Sequence, residues 1–269
     1  MDINPLKPLE PLVKIGEKVY DDAVSPTAKE VGKLIATVPA AINAALLSLN
    51  QWIANRDYAL KETRLLLEQK LVNVDPEKII SPEPYVAVPA LQAISYCMDS
   101  DILRNLFANL LAKSMYSDTK ELVHPAFVDI ISQLSPFDAK VLSRFIKERG
   151  IPLANIQKRS INNQGSYFIV SANILWNSDN PVVSTTTKTT ASINNLQRLG
   201  LIETAFTKTF FDFDYGLFKN LDIYKKCSIS QEETLSIEGG IANQTQFGHD
   251  FITVCCLDTL SPVEEPSQP

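Results

Sequence analysis

A chain of 269 residues is long enough to bury a sizeable apolar core, as one large domain or two modest ones. With 45% hydrophobic and 21% charged residues, its composition is that of a soluble globular protein. The 25 Lys and Arg against 31 Asp and Glu give a net charge of −6, which excludes a polycation built for phosphate backbones, and nine Gly against sixteen Pro argue against a glycine-rich phosphate cradle.

The N-terminal MDINPLKPLEP has no basic stretch followed by an apolar core and a small-residue cleavage site, so it is not read as a signal peptide. Helix is expected from about Thr27 to Leu49. Between Lys33 and Arg56 the segment 34–55 carries no charge, a length near the ~20 residues that span a hydrocarbon core. Thr37, Pro39, Asn43, Ser48, Asn50, Gln51 and Asn55 interrupt it, so a buried or interfacial helix is preferred to a membrane span. Ile42, Leu46, Leu47 and Trp52 are its candidate contacts with a membrane or a protein partner.

A second helix is expected over Arg56 to Leu71, and VNVDPEKIISPEP breaks it as a loop. Pro89 suits the first turn of a helix carrying Leu91, Ile94 and Met98, and Asp99 or Ser100 suits the cap of the next. In that helix Ile102, Leu103, Leu106, Phe107, Leu110, Leu111 and Met115 make a ridge two residues wide, the pattern of a core element. HPAFVDIISQL is a further short helix. Residues 1–134 thus read as an all-helical domain.

The pattern changes at Ser135 and Pro136, which read as cap and first turn of PFDAKVLSRFIKERG, stopped by Gly150 and Pro152. SYFIVSANILW is a short strand or helix that periodicity does not assign. Helix is expected from about Thr185 to Leu199, ended by Gly200, with an extended run from Leu201. Phe206 to Phe218 and Leu221 to Ile229, aromatic and β-branched, are expected to form a hairpin. Thr245 caps QFGHDFITVCC, and the tail 261–269 is expected to be disordered.

The passages SINNLQRLGLIE and TQFGHDFITVC resemble the third helix, wing and closing helix of winged helix-turn-helix proteins. The fold class expected is therefore mainly α: a helical N-terminal domain, 1–134, followed by a winged-helix-like α+β domain, 135–260, with a small antiparallel hairpin. Were this domain to read DNA, the helix at 185–199 would enter the major groove, with Lys188, Ser192, Asn195 and Arg198 as its contacts. Residues 135–269 hold 12 basic and 14 acidic residues, and the expected wing carries Asp212, Asp214 and Asp222. That electrostatic footprint favours a protein-interaction role.

A wider resemblance runs from KPLEPLVKIGEKVYDDAVSPTAKEVGKLIATVP through SPEPYVAVPALQAISYCMDSDILRNLFANLLAKSM to HPAFVDIISQLSPFDAKVL. These stretches resemble the Abi-alpha family, a bacterial domain associated by name with abortive infection of phage. The resemblance covers most of residues 7–256, and LRNLFANLLAKSM and QLSPFDAKVL carry most of its specificity. It implies a bacterial or prophage cytoplasmic protein acting in phage defence, and it supplies no catalytic residues.

The chemistry visible in the residues agrees with a non-enzymatic reading. Neither His124 nor His249 has a second ligand at metal spacing, and His124 before Pro125 suits a helix cap. Cys97, Cys227, Cys255 and Cys256 form no CxxC pair, and their usage fits a reducing cytoplasm. GxSxG, P-loop and GxGxxG patterns are absent. In FDFDYG, Asp212 and Asp214 would share one strand face and hold a divalent cation, but an amphipathic strand with its acids in water is the simpler account. Cys227 after Lys225 and Lys226 is read as a strand core residue before a reactive thiol. The function expected is phage defence through protein contacts or self-association, with a membrane surface as a further partner. A DNA-binding regulator is the alternative and a metal-dependent hydrolase the weaker third. No catalytic residue, metal or cofactor is assigned.

Overall fold

The structure, a computed structural model, describes residues 37–46, 57–94, 97, 99–162, 166–176, 187–227, 229–258 and 260. Residues 37–46 form helix α1, whose Val38, Ile42, Ala45 and Leu46 are all buried. Helices α2 (Asp57–Leu71) and α3 (Pro84–Ile94) follow. Pro84 occupies the first turn of α3, so Pro89 does not begin that helix but lies within it, at an exposed position. Helix α4 (Asp101–Ser114) starts where the Ser100 hydroxyl accepts from the Leu103 N–H, with Asp101 in its first turn and Lys113 in its last, the charge order its dipole favours. The ridge expected from its sequence is buried, apart from Ile102, which is exposed.

Helix α5 (Ala126–Ser132) begins beside His124, whose Nδ1 accepts from the Ala126 N–H at 3.1 Å. Helix α6 (Pro136–Leu142) opens with a reciprocal cap. The Ser135 hydroxyl accepts from the Asp138 N–H at 3.1 Å, and the Asp138 carboxylate accepts from the Ser135 N–H at 2.8 Å.

The chain then enters strand β1 (Gly150–Ser160) and returns in β2 (Tyr167–Leu175). Helix α7 (Thr187–Arg198) ends at Gly200, whose φ of +73° admits glycine readily. The turn is closed by Gly200 N–H to Gln197 O at 2.9 Å and Leu201 N–H to Leu196 O at 3.0 Å. Strand β3 (Ile202–Ala205), short helix α8 (Asp222–Lys225), strand β4 (Glu233–Gln244) and helix α9 (Gln246–Phe251) complete the order. The last of these runs on into a wider turn over Ile252–Cys256.

The four strands make one antiparallel sheet in the order β2-β1-β4-β3. Strands β1 and β4 pair continuously from Gly150↔Asn243 to Ser160↔Glu233. One apolar core joins the helices to one face of this sheet and crosses residue 134 without a break. Leu67, Phe107, Phe127 and Leu142 belong to it together with Leu153, Ile193, Ile202 and Phe251. The other face is covered by a second cluster, in which Phe218 and Leu221 pack on Ala154, Ile156 and Ile174.

This second cover replaces the expected hairpin. The described residues of 206–229 form no strand pair; they make a two-turn 3-10 helix at Tyr215–Asn220 and then α8. The Asp214 carboxylate accepts from the Gly216 N–H at 2.7 Å, a local bond that competes with strand pairing. The aromatic residues that suggested strands instead interlock over the sheet, Trp176 against Phe213 and Phe218 at 5.2 and 5.3 Å between ring centroids. Asp212 and Asp214 therefore do not alternate along a strand, and Cys227 sits just past α8, half-buried, rather than in a strand core. The antiparallel pair that does follow α7 joins β3 to β4, and SYFIVSANILW contains β2.

Thr245 caps α9: its hydroxyl accepts from the Gly248 N–H at 2.8 Å and donates to Gly200 O at 2.6 Å. Gly248 is pressed against the start of β3, where a Cβ would stand 1.8 Å from the Leu201 carbonyl oxygen. Gly248→Ala must push α9 off the sheet and is expected to lower the unfolding free energy by about 3 kcal/mol. Thr245→Ala is expected to cost about 1 kcal/mol. Urea midpoints for the two variants check the order.

Candidate functional site

Helix α7 is the element through which DNA would be read, and its polar residues are largely turned to another task. Ser192 is 3% exposed, in the interior rather than at a groove. The Asn195 amide donates to the Asp138 carboxylate and to Gln133 O, both at 3.1 Å. Arg198 donates to the Gln133 side chain at 2.9 Å and to Asn195 Oδ1 at 2.8 Å. Burial alone would raise the Asp138 pKa, but hydrogen bonds from Ser192, Ser135 and Asn195 outweigh it and hold the carboxyl below its usual value. Ser192, Asn195 and Arg198 thus fasten α7 to α5 and α6, and of the four residues proposed for base contacts Lys188 alone stands exposed without such a task.

The residues proposed as membrane or partner contacts fare similarly. Ile42 and Leu46 are 0% and 1% exposed in the main core, so they offer no surface to a bilayer or a partner. Leu47 and Trp52 lie outside the described residues. Among the described residues no helix is long and apolar enough to cross a membrane. Nor does any group of three or more His, Cys, Asp or Glu stand where it could hold a metal ion.

Two features escaped the sequence reading. The first is a polar row on α4. Asn105, Asn109 and Lys113 are four residues apart, on one line of a helix otherwise packed in apolar side chains. Lys70 of α2 donates to Asn105 Oδ1 at 2.7 Å and pairs with Asp258 at 2.9 Å. The Asn109 amide donates to Cys255 O at 2.9 Å. Lys113 is 3% exposed, and its amine donates to Thr253 O and, at 3.0 Å, to Leu257 O. Burial pushes this amine down to about 8 and pushes the thiols of Cys255 and Cys256 up. The row grips the carbonyl end of the turn after α9, where a helix leaves oxygen atoms without partners. The signal in the sequence was the spacing of four within LRNLFANLLAKSM, masked there by the apolar ridge.

The second feature is the outer end of the sheet. Strand β2 lies at an edge, with β1 on one side and no described strand on the other. Its inner half is covered, since Thr190 of α7 donates to Ala172 O and Asn173 to Asn194. Its outer half carries Tyr167, Phe168, Ile169 and Val170, exposed at 48, 75, 49 and 44%. Alternation along the strand sends these side chains to both faces of the sheet. Ile161 and Ile229, also exposed, lie beyond the ends of β1 and before β4. Apolar edges that no described strand covers are, in proteins generally, places where other chains can pair. The sequence signal was four consecutive apolar residues, which read equally well as a buried strand.

The fold and this surface define a helical protein with an antiparallel sheet and an apolar strand edge. The model of the abortive infection alpha family matches residues 55–255, and the chain belongs to that family. No curated protein and no solved structure matches it.

Asp138→Ala removes both a cap and the anchor of α7, and is expected to cost about 2 kcal/mol at neutral pH. Because the folded carboxyl is held below its ordinary value of 3.8, this difference should shrink as the pH falls below that value. Lys113 has the opposite sign. Its amine is held at about 8 when folded against 10.5 when free, so the folded state sheds its proton first and stability rises with pH across that interval. The unfolding free energy of the wild type, measured against Lys113→Met, should therefore gain from about pH 8 to pH 10.5.

Proposed function

We propose that this chain is a cytoplasmic phage-defence protein of the abortive-infection type, and that it acts without catalysis, through protein contacts made by the outer half of β2. The single observation that carries the reading, beside family membership, is the row of four exposed apolar residues at a strand edge that no described strand covers. A strand edge offers backbone N–H and C=O groups in register to another chain, and the flanking side chains add apolar area to the contact. The DNA alternative draws less support, because Ser192, Asn195 and Arg198 are held by α5 and α6.

The test is a phage challenge of bacteria expressing the chain. Expression is expected to reduce plaques and to kill infected cells before the burst. Phe168→Lys with Val170→Lys should abolish both effects while the protein still accumulates and keeps its circular dichroism. Full protection by that double variant would assign the contact to another surface.

A further inference from the structure

We propose that the guanidinium of Arg159, on the helical face of the sheet, is the centre of a binding site for a small oxyanion, a phosphate or a carboxylate group. The inference does not depend on the protein-contact reading above.

Strand β1 sends alternate side chains to opposite faces, and their packing says which go where. Ile151 and Leu153 enter the helical core, whereas Ala154 and Ile156 lie in the aromatic cluster. Asn155, Gln157 and Arg159 therefore continue the helical face past its last apolar side chain on this strand, Leu153. Pairing sets Ser236 of β4 beside Gln157, and Tyr167 of β2 beside Arg159. The first member of this polar file is satisfied. The Asn155 amide donates to Glu238 at 2.8 Å, and its Oδ1 accepts from the Asn173 N–H at 2.9 Å.

Arg159 is held but not neutralised. Its Nε and Nη2 donate to Gln157 Oε1 at 3.2 and 2.7 Å, and Nε also donates to Ser236 Oγ at 3.2 Å. The guanidinium lies 5.3 Å from the centre of the Tyr167 ring. These contacts fix the plane of the fork and leave the second N–H of Nη2 and both of Nη1 without a partner. Among the described residues no carboxylate pairs with it: Glu233 is taken by Lys158, and Glu238 accepts from Asn155.

A second observation falls on the neighbouring side chain. Gln157 is 1% exposed, and its Nε2 is buried with no hydrogen-bond partner. Turning the amide over gives no relief, because its NH2 would then face the guanidinium. A buried donor without an acceptor thus stands beside a guanidinium edge without an anion. The Ser236 hydroxyl, accepting from Arg159, keeps its own O–H to donate. The groups left over are all donors, and one of them is charged, so the ligand that answers them is an acceptor with negative charge. A planar fork meets two oxygens of a carboxylate or a phosphate in parallel.

Sodium phosphate and sodium acetate, each titrated into the isotope-labelled full chain against sodium chloride at equal ionic strength, test the site. The readout is the side-chain N–H resonances of Arg159 and Gln157. Both are expected to shift along one saturable curve that chloride does not reproduce. Saturation at a lower concentration of phosphate assigns a phosphate ligand, and the reverse a carboxylate. Gln157→Glu, which gives Arg159 an internal carboxylate, should weaken binding roughly tenfold or more, as should Arg159→Gln. Lys219→Gln, at an exposed lysine in the cover of the other face, should leave it unchanged. If either site variant loses its native thermal transition, the wild-type titration decides, since each side chain reports its own contact. Shifts that never saturate, or that chloride reproduces, mean a solvated arginine and overturn the proposal. Binding that a folded Gln157→Glu variant leaves intact overturns it as well.

Discussion

A lysine amine inside an apolar core has to be answered by oxygen atoms, and in this protein that requirement fixes where the closing segment goes. Helix α4 is surrounded by α2, α3, α5, α6 and the turn after α9. Along its polar row the amide of Asn109 and the amine of Lys113 take the carbonyls of Thr253, Cys255 and Leu257, and Lys70 with Asn105 receives Asp258. Apolar contact alone is indifferent to a rotation or a slide of the closing segment. Directional bonds from three levels of one helix are not. Just before that turn, Gly248 lets α9 approach the Leu201 carbonyl at the head of β3 more closely than any side chain would allow.

The sheet is the second consequence. Its inner face completes the helical core through Ile151, Leu153, Leu175 and Ala242, while its outer face takes the aromatic cover around Phe218. Both covers stop short of the far end of β1, β2 and β4. The residues that remain exposed there are the apolar Tyr167, Phe168, Ile169 and Val170 of β2.

Much of this arrangement was legible in the residues. The caps at Ser100, Ser135 and Thr245, the stop at Gly200 and the buried ridge of α4 follow from local chemistry that needs no distant partner. The family was legible too, in LRNLFANLLAKSM and QLSPFDAKVL, passages that the structure places in α4 and α6. What local pattern could not give was the tertiary assignment of ambiguous runs. Phe211, Phe213 and Tyr215 alternate like a strand, yet the ring contacts of Phe213 and Tyr215 and the Asp214 turn hold those two as a cover, and Phe211 stands exposed. Asn195 and Arg198 have the chemistry of base readers, but Gln133 and Asp138, some sixty residues earlier, receive them. The exposure of Tyr167–Val170 depends on strand order, which no window of sequence contains.

The polar row also orders events during synthesis. A nascent chain that has emerged as far as residue 134 holds the whole apolar ridge, but none of the carbonyls that Lys113 and Asn109 require, because these lie 140 to 146 residues further on. Until Thr253 to Leu257 arrive, closing the helices around α4 would strand an amine and an amide in hydrocarbon. The helical half is therefore expected to stay open and hydrated at that helix until the segment after α9 arrives to let it shut.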